Sequence, residues 1–270
     1  MSIATTPTPT PATGTGATPA RTRRGPRRSR ALFVTPGLVV LIVIGVVAWI
    51  DAQDFTQPGR APEGRALDLA SLWTQLVQQI YLVAVSTVVV VVIAIPLGIL
   101  LSRPSAGRAG DAVLAFGGFM QALPPFGVII LMAFSPLGFG APSAIVALVI
   151  ASFLPVLTNT VVGLRQVEPS LIEVARGMGM SSGMTLRRVE LPLAVPVMVA
   201  GIRVALVLNV GTSTLAFYVG AGGLGTPIES MLKLGRTDAA FAVAAVVTAL
   251  ALFVDWLAAV AERLVRGAGG

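Results

Sequence analysis

The chain has 270 residues, of which 55% are hydrophobic and only 11% charged, where a water-soluble domain carries about 25% charged residues. That is too little polar surface to clothe a soluble globule, so an ordinary cytoplasmic enzyme is excluded and the chain belongs in a bilayer. The net charge is +7, but six of the 19 basic residues lie between Arg21 and Arg30 beside the first apolar run, which is a membrane-topology signal rather than a nucleic-acid footprint.

With 0 Cys and 0 His, disulfides, thiolate nucleophiles, Cys/His metal sites and imidazole acid–base chemistry are excluded together. Residues 1–30 consist of Thr, Pro, Ala and Gly followed by Arg. They hold too little apolar surface to offset the entropy of ordering and are expected to form a disordered cytoplasmic tail. Residues 31–50 are uncharged and reach about 30 Å as a helix, enough to span the hydrocarbon. A basic stretch before an apolar run also suits a cleaved signal peptide. The exit Val-Ala-Trp-Ile-Asp offers no clean small-x-small site, so a retained first transmembrane helix is the reading.

Residues 51–71 begin with charges and two prolines and form an extracytoplasmic loop. Leu72, Trp73, Leu76, Val77 and Ile80 then recur at helical spacing ahead of a second span near 79–101. The uncharged run Ala112–Leu164 has 53 residues, about 80 Å as one helix, more than twice a bilayer. It must fold back, and the segment 135–142 (SPLGFGAP) supplies the turn chemistry, giving spans three and four. Span five covers about 192–218, a glycine-rich loop follows, and span six runs from about 239 to 260. With the N-terminus inside, the inner segments hold 14 Lys/Arg and the outer loops four, which supports six helices with both ends cytoplasmic. Helices are required because unpaired backbone is too costly in lipid, and such long apolar runs do not suit an alternating barrel strand. The expected fold is therefore all-α, a polytopic membrane protein of about six transmembrane helices.

The segment 168–191 is the most informative. Pro169 suits a first helical turn, with Leu171, Ile172 and Ala175 on an apolar face and Glu173 and Arg176 beside it. Gly177 and Gly179 break that helix. Ser181 or Ser182 can cap a second short one running through Met184, Leu186, Arg187, Arg188 and Val189, before Pro192 opens span five. This basic, amphipathic helix–turn–helix either rests on lipid headgroups or docks to a cytoplasmic partner.

The spacing Glu173-x-Ala175, Gly179 six residues after Glu173, then Val189-x-Leu191-Pro192 after nine more resembles the EAA signature of ABC-importer permeases. Val174 and Val189 are its two conservative departures. Met120-Gln121-Ala122-Leu123-Pro124-Pro125, Asn159-Thr160-x-x-Gly163-Leu164, Ala200-Gly201-Ile202-Arg203 and Gly220-Ala-Gly-Gly-Leu-Gly225 are similar to the osmoprotectant (glycine betaine, carnitine, choline) members of that family. The Pro124-Pro125 pair departs from the single Pro usual there. Permeases for amino acids share the EAA segment but match these flanks less closely. The resemblance implies a type I ABC-importer permease core over 72–265, located in a bacterial cell membrane. It also implies that 168–191 is the coupling segment seated on a cytoplasmic ATP-binding subunit, with Glu173, Ala175, Arg176, Gly179, Arg187, Leu191 and Pro192 transmitting force. A second permease copy or a paralogue would complete the pore, and an extracytoplasmic binding protein would deliver cargo. No cofactor, metal or catalytic residue is expected on this chain; a GxxxxGK[ST] phosphate loop is absent from it, so ATP binds elsewhere.

Gly220-x-Gly222-x-x-Gly225 matches a dinucleotide-binding pattern by letter. That motif needs a strand before it and a helix after it in a soluble βαβ unit. Here the glycines serve tight turns and close helix approach. Arg203 and Asp255 lie at overlapping depths in spans five and six, and charges there usually pair or face a pathway; an intramembrane ion pair is expected. Polar or helix-breaking groups within spans are candidates for lining a substrate pathway, or else for interhelical hydrogen bonds: Gln121, Pro124, Pro125, Asn159, Asn209, Thr212, Ser213 and Thr214. A quaternary ammonium ion offers no N–H donor, so its tight recognition relies on aromatic faces. The 16 aromatics are mostly dispersed, Phe217-Tyr218 being the only adjacent pair, so a selective cage is expected on a separate receptor. An ion-coupled secondary transporter would be expected to show mid-membrane acid or His relays, and only Arg203 and Asp255 are available.

Overall fold

In the computed structural model of the protein, residues 27–53, 64 and 67–268 are described; the expected tail, as far as residue 26, lies outside them. The described residues form helices and turns, with no strand among them. The helices are α1 (Arg27–Asp51), α2 (Leu69–Leu101), α3 (Gly107–Ala122), α4 (Pro125–Ala133), α5 (Ala141–Arg165), α6 (Pro169–Gly177), α7 (Ser182–Thr185), α8 (Leu191–Ser213), α9 (Gly225–Lys233) and α10 (Thr237–Ala268). Five are long and apolar enough to cross a membrane, and the bent pair α3–α4 makes a sixth if counted as one span.

Several boundaries differ from the sequence expectation. Helix α1 starts at Arg27, so four residues of the expected tail are helical. The amphipathic piece and the second span merge into one 33-residue helix, α2. The Asp68 side chain caps it by accepting from Ala70 N at 3.1 Å and Ser71 N at 3.3 Å, which satisfies amides otherwise left open at a helix start. The third span is broken: α3 and α4 meet at 91°. The physical reason is the Leu123-Pro124-Pro125 sequence. Two consecutive prolines remove two backbone donors, and each pushes its predecessor out of the helical region; Leu123 and Pro124 are both extended, with ψ of 134° and 126°. Span six runs on to Ala268.

Helix α5 is the central post, packed on α8, α2, α4 and α3. Small residues allow the close approach. A Cβ added at Gly201 in α8 would sit 2.6 Å from Asn159 Cβ and 2.8 Å from the Pro155 carbonyl oxygen, and one at Gly98 in α2 would sit 2.6 Å from Thr160. Around this post lie an apolar cluster at one end (Leu82, Ile129, Leu148, Val219) and another further along (Val90, Val156, Leu157, Ala205). Helix α1 leans on α10 and is largely exposed from Val34 onward, with Trp49 and Ile50 against the cluster of Leu72, Leu224 and Val243.

Contacts identify the two ends of the bundle. Arg165 Nη2 donates to the Leu101 carbonyl at 3.0 Å, and Arg103 reaches Glu190. The ends of α2 and α5 and the start of α8 therefore share one end. At the other, Gly140 N donates to the Val219 carbonyl at 2.6 Å. The chain leaves the first end at Gly107 and enters α5 at the opposite one, so the bent α3–α4 pair carries it across.

Candidate functional site

The segment 168–191, expected to be the coupling segment, is built by local rules. Pro169 lies in the first turn of α6, where its missing N–H costs nothing. The helix closes in a Schellman motif: Met180 N donates to the Ala175 carbonyl at 3.1 Å and Gly179 N to the Arg176 carbonyl at 2.9 Å. That closure needs a left-handed residue after the cap, and Gly179 holds φ +85°. Ala175 is enclosed, 1% exposed, where a small side chain lets α6 sit against the turn that follows. Glu173, Arg176 and Arg187 are exposed, as are Leu171, Val174, Met178 and Met184. The segment thus presents an apolar ridge edged by both signs of charge. Ser181 stands at the start of α7, but its side chain makes no capping bond. The next five residues, Leu186–Glu190, form a π turn that runs directly into α8, with Leu191 and Pro192 in its first turn.

Glu190, which the sequence did not single out, ties this segment to the bundle. It is 3% exposed and accepts from Arg103 Nη1 at 2.8 Å on one oxygen and 3.1 Å on the other. A lone buried carboxylate would be costly; the guanidinium from the end of α2 supplies its counter-charge. The only sequence signal is that Glu190 is the single acid in the RRVELP run.

Inside the bundle, Arg203 Nε and Nη2 donate to the two oxygens of Asp255 at 2.6 and 2.7 Å, a bidentate pair between α8 and α10. Glu262 joins from the same face of α10, 3.5 Å from Arg203 Nη1. The pathway candidates divide. Asn209 and Ser213 are fully buried, so in this conformation neither faces a passage. Asn209 Nδ2 donates to Ser86 Oγ and Thr87 Oγ1, both at 3.1 Å, and Ser213 bonds the Val210 carbonyl; both stitch helices or turns. Asn159 is half-buried, its amide turned onto the Pro155 carbonyl at 2.7 Å. Thr212 is half-buried, Gln121, Pro124 and Pro125 are exposed at the break, and the Thr214 hydroxyl bonds the Gly211 carbonyl at 2.6 Å.

The glycine loop at 220–225 is clamped by two neighbouring amides of α2. Gln78 Oε1 accepts from Gly223 N and Gln79 Oε1 from Leu224 N, both at 3.0 Å, while Gln79 Nε2 donates to the Val210 carbonyl at 3.1 Å. Gly222 and Gly223 hold φ of +77° and +91°. A Cβ at Gly222 would collide with the Gln78 amide and one at Gly223 would sit 2.7 Å from Gln79 Oε1, so the glycines permit close backbone approach. No group of three or more acidic residues able to hold a metal occurs among the described residues.

Residues 94–267 match the model of the family described as binding-protein-dependent transport system inner membrane component. The chain is 40% identical over 193 residues to the glycine betaine/carnitine/choline transport system permease protein OpuCB of Bacillus subtilis (strain 168), covering 71% of this chain and 87% of that one. It is 37% identical over 222 residues to the osmoprotectant import permease protein OsmY of Salmonella typhimurium, covering 82% and 90%. Among solved structures, the MetNI methionine ABC transporter in inward-facing conformations superposes with a TM-score of 0.64 at 23% identity, over 72% of this chain and 95% of that one; at that identity the likeness bears on the fold. With its helical bundle, its family match and these relatives in agreement, the chain belongs to the binding-protein-dependent transport system inner membrane component family, as an integral membrane permease with the ABC-importer fold.

Proposed function

We propose that this chain is the permease subunit of an ATP-driven osmoprotectant importer in a bacterial cell membrane, passing glycine betaine, choline, carnitine or a similar quaternary amine. Two copies, or one copy and a paralogue, form the pore. A cytoplasmic ATP-binding subunit seats on 168–191, an extracytoplasmic receptor delivers cargo, and both termini of the chain are cytoplasmic. Closure of the ATPase pair draws the two coupling segments together, and the bundles rock between inward- and outward-facing states. Glu173, Ala175, Arg176, Gly179, Arg187, Leu191 and Pro192 transmit force and perform no chemistry; ATP hydrolysis belongs to the partner.

The observation that carries this reading is the kinship to permeases named for these solutes across most of both chains. The exposed ridge of α6 and the tie of buried Glu190 to half-buried Arg103 behind it give a mechanical rationale: a lever moves a bundle only if it is anchored to it.

The test is reconstitution in vesicles with the ATPase and the receptor. Receptor loaded with choline or glycine betaine should stimulate ATP hydrolysis and drive uptake. Glu173→Lys should insert normally and lose the stimulation, because it reverses a charge on the docking face. Stimulation by amino-acid-loaded receptor alone would overturn the cargo assignment, and normal stimulation in Glu173→Lys would overturn the coupling assignment.

A further inference from the structure

We propose that Phe126 and Tyr218, with Phe217 packed against Tyr218, form an aromatic corner that receives the trimethylammonium group of the cargo during its passage. The inference rests on the osmoprotectant reading above and deepens it.

Phe126 lies 91 positions before Phe217, so the sequence gives no sign that they meet. Two backbone features bring them together. The break at Leu123-Pro124-Pro125 turns α4 by 91° and sets Phe126 in its first turn. The end of α8 tightens into a 3-10 turn over Thr214–Val219, which carries Phe217 and Tyr218. The two pieces are locked by Val128 and Ile129 packing in one cluster with Ala216 and Val219. The resulting ring centroids are 4.8 Å apart for Phe126 and Tyr218, at an interplanar angle of 76°, and 4.0 Å apart for Phe217 and Tyr218, at 33°.

The angle matters because an aromatic ring is negative on its face and positive at its edge. Two parallel stacked rings hide a face each. Two nearly perpendicular rings leave a corner where one point sees both faces, and a cation within about 6 Å of each centroid is attracted to both. A trimethylammonium group suits such a corner: its charge is spread over methyls, it has no N–H to satisfy, and it asks for no hydrogen-bonding partner. Phe126 and Tyr218 are each 46% exposed, so the corner is open rather than sealed in the core.

The corner lies at the end of the bundle where Gly140 meets Val219, the end at which a delivered cargo would enter. Pro124, Pro125 and Gly220 beside these rings in sequence are exposed, and the next residues form the irregular loop at 220–225. Two ring faces without a buried carboxylate make a weak site, which suits a passage that must release what it holds. Simple interfacial aromatics, which anchor many membrane proteins, are the competing role.

The experiment uses the complete assembly with ATPase and receptor in vesicles and measures choline uptake alongside receptor-stimulated ATP hydrolysis. Trifluorophenylalanine in place of Phe126 keeps the ring's shape while draining its face of negative charge. Uptake per ATP hydrolysed should fall about three- to tenfold with this ring and with Tyr218→Leu, the span expected for one cation–π contact, and Tyr218→Phe should restore it. Unchanged uptake with the fluorinated ring would overturn the corner and leave the rings as packing or interfacial anchors. A Tyr218→Leu defect that lowers uptake and hydrolysis equally, with the fluorinated ring silent, would overturn it as well. If the unmodified assembly transports no quaternary amine at all, the osmoprotectant reading fails and takes the corner with it; transport that is normal but insensitive to the rings fails the corner alone.

Discussion

Arg203 is held by Asp255 through two bonds of 2.6 and 2.7 Å, with Glu262 3.5 Å away. A cation left alone in the middle of a span costs about 2.5–3.5 kcal/mol, and Glu262 would recover part of that. Asp255→Leu should therefore destabilise the purified protein by about 2 kcal/mol, while Arg203→Met combined with Asp255→Leu should unfold closer to the parent because no charge is stranded. Thermal unfolding in detergent reads the difference, and equal loss in both variants would mean that the pair is not an energetic unit. A second residue-scale test is Gly201→Ala. The new methyl would meet Asn159 and the Pro155 carbonyl at 2.6 and 2.8 Å, forcing α5 and α8 apart at an overpacking cost of about 1–3 kcal/mol, visible as a lowered unfolding midpoint. Arg203 and Asp255 could be matched from sequence because few charges lie deep in the spans and depth follows from residue count. Asn209 and Ser213 could not be placed: a polar residue in a helix between two apolar neighbours reveals its depth but not which helix it faces, and here Ser86 and Thr87 take the Asn209 amide.

At the scale of elements, the proposed coupling segment is joined to the bundle by the Glu190–Arg103 pair and by Leu186 and Leu191 packing against Leu164, Ala194 and Met198. The π turn Leu186–Glu190 inserts an extra residue per turn and so rotates the entry of α8, which brings Glu190 onto Arg103 at the end of α2. Glu190→Arg alone places two cations together at the hinge of the lever and should uncouple uptake from ATP hydrolysis. Because Arg103 is partly exposed, the loss is about 1–2 kcal/mol rather than that of a fully buried pair, or about five- to thirtyfold in the balance between lever positions. Adding Arg103→Glu restores opposite charges and should recover most of the uptake; no recovery in the double variant would remove the strut from the mechanism. The start of α6 at Pro169 and its end at Gly177 were legible from residue chemistry, since proline and glycine carry their geometry with them. The π turn was not legible, because no residue type within Leu186–Glu190 marks one and the partner of Glu190 lies 87 positions earlier. The break at 123–125 was signalled by its two prolines, but its angle is set by what α4 packs against.

For the molecule as a whole, the number of crossings decides which side the lever is on. If α3–α4 crosses as one broken span, residues 134–140 and the α9–α10 turn lie outside and the coupling segment inside. If the pair doubled back, every later segment would be inverted. The contact of Gly140 with Val219 at one end, and those of Arg165 with Leu101 and Arg103 with Glu190 at the other, favour crossing. The 14 against four distribution of Lys/Arg points the same way, since basic loops are retained inside. The chain has 0 Cys, so any introduced thiol is a unique reporter. Leu137→Cys and Leu234→Cys, both at exposed positions, should react with a membrane-impermeant maleimide on intact cells. Ser182→Cys on the exposed start of α7 should react only after permeabilisation. The reverse pattern would put the coupling segment on the wrong face for a cytoplasmic ATPase and would end the lever mechanism, because a chain with no phosphate-binding loop of its own cannot be driven from the side where no ATP is present.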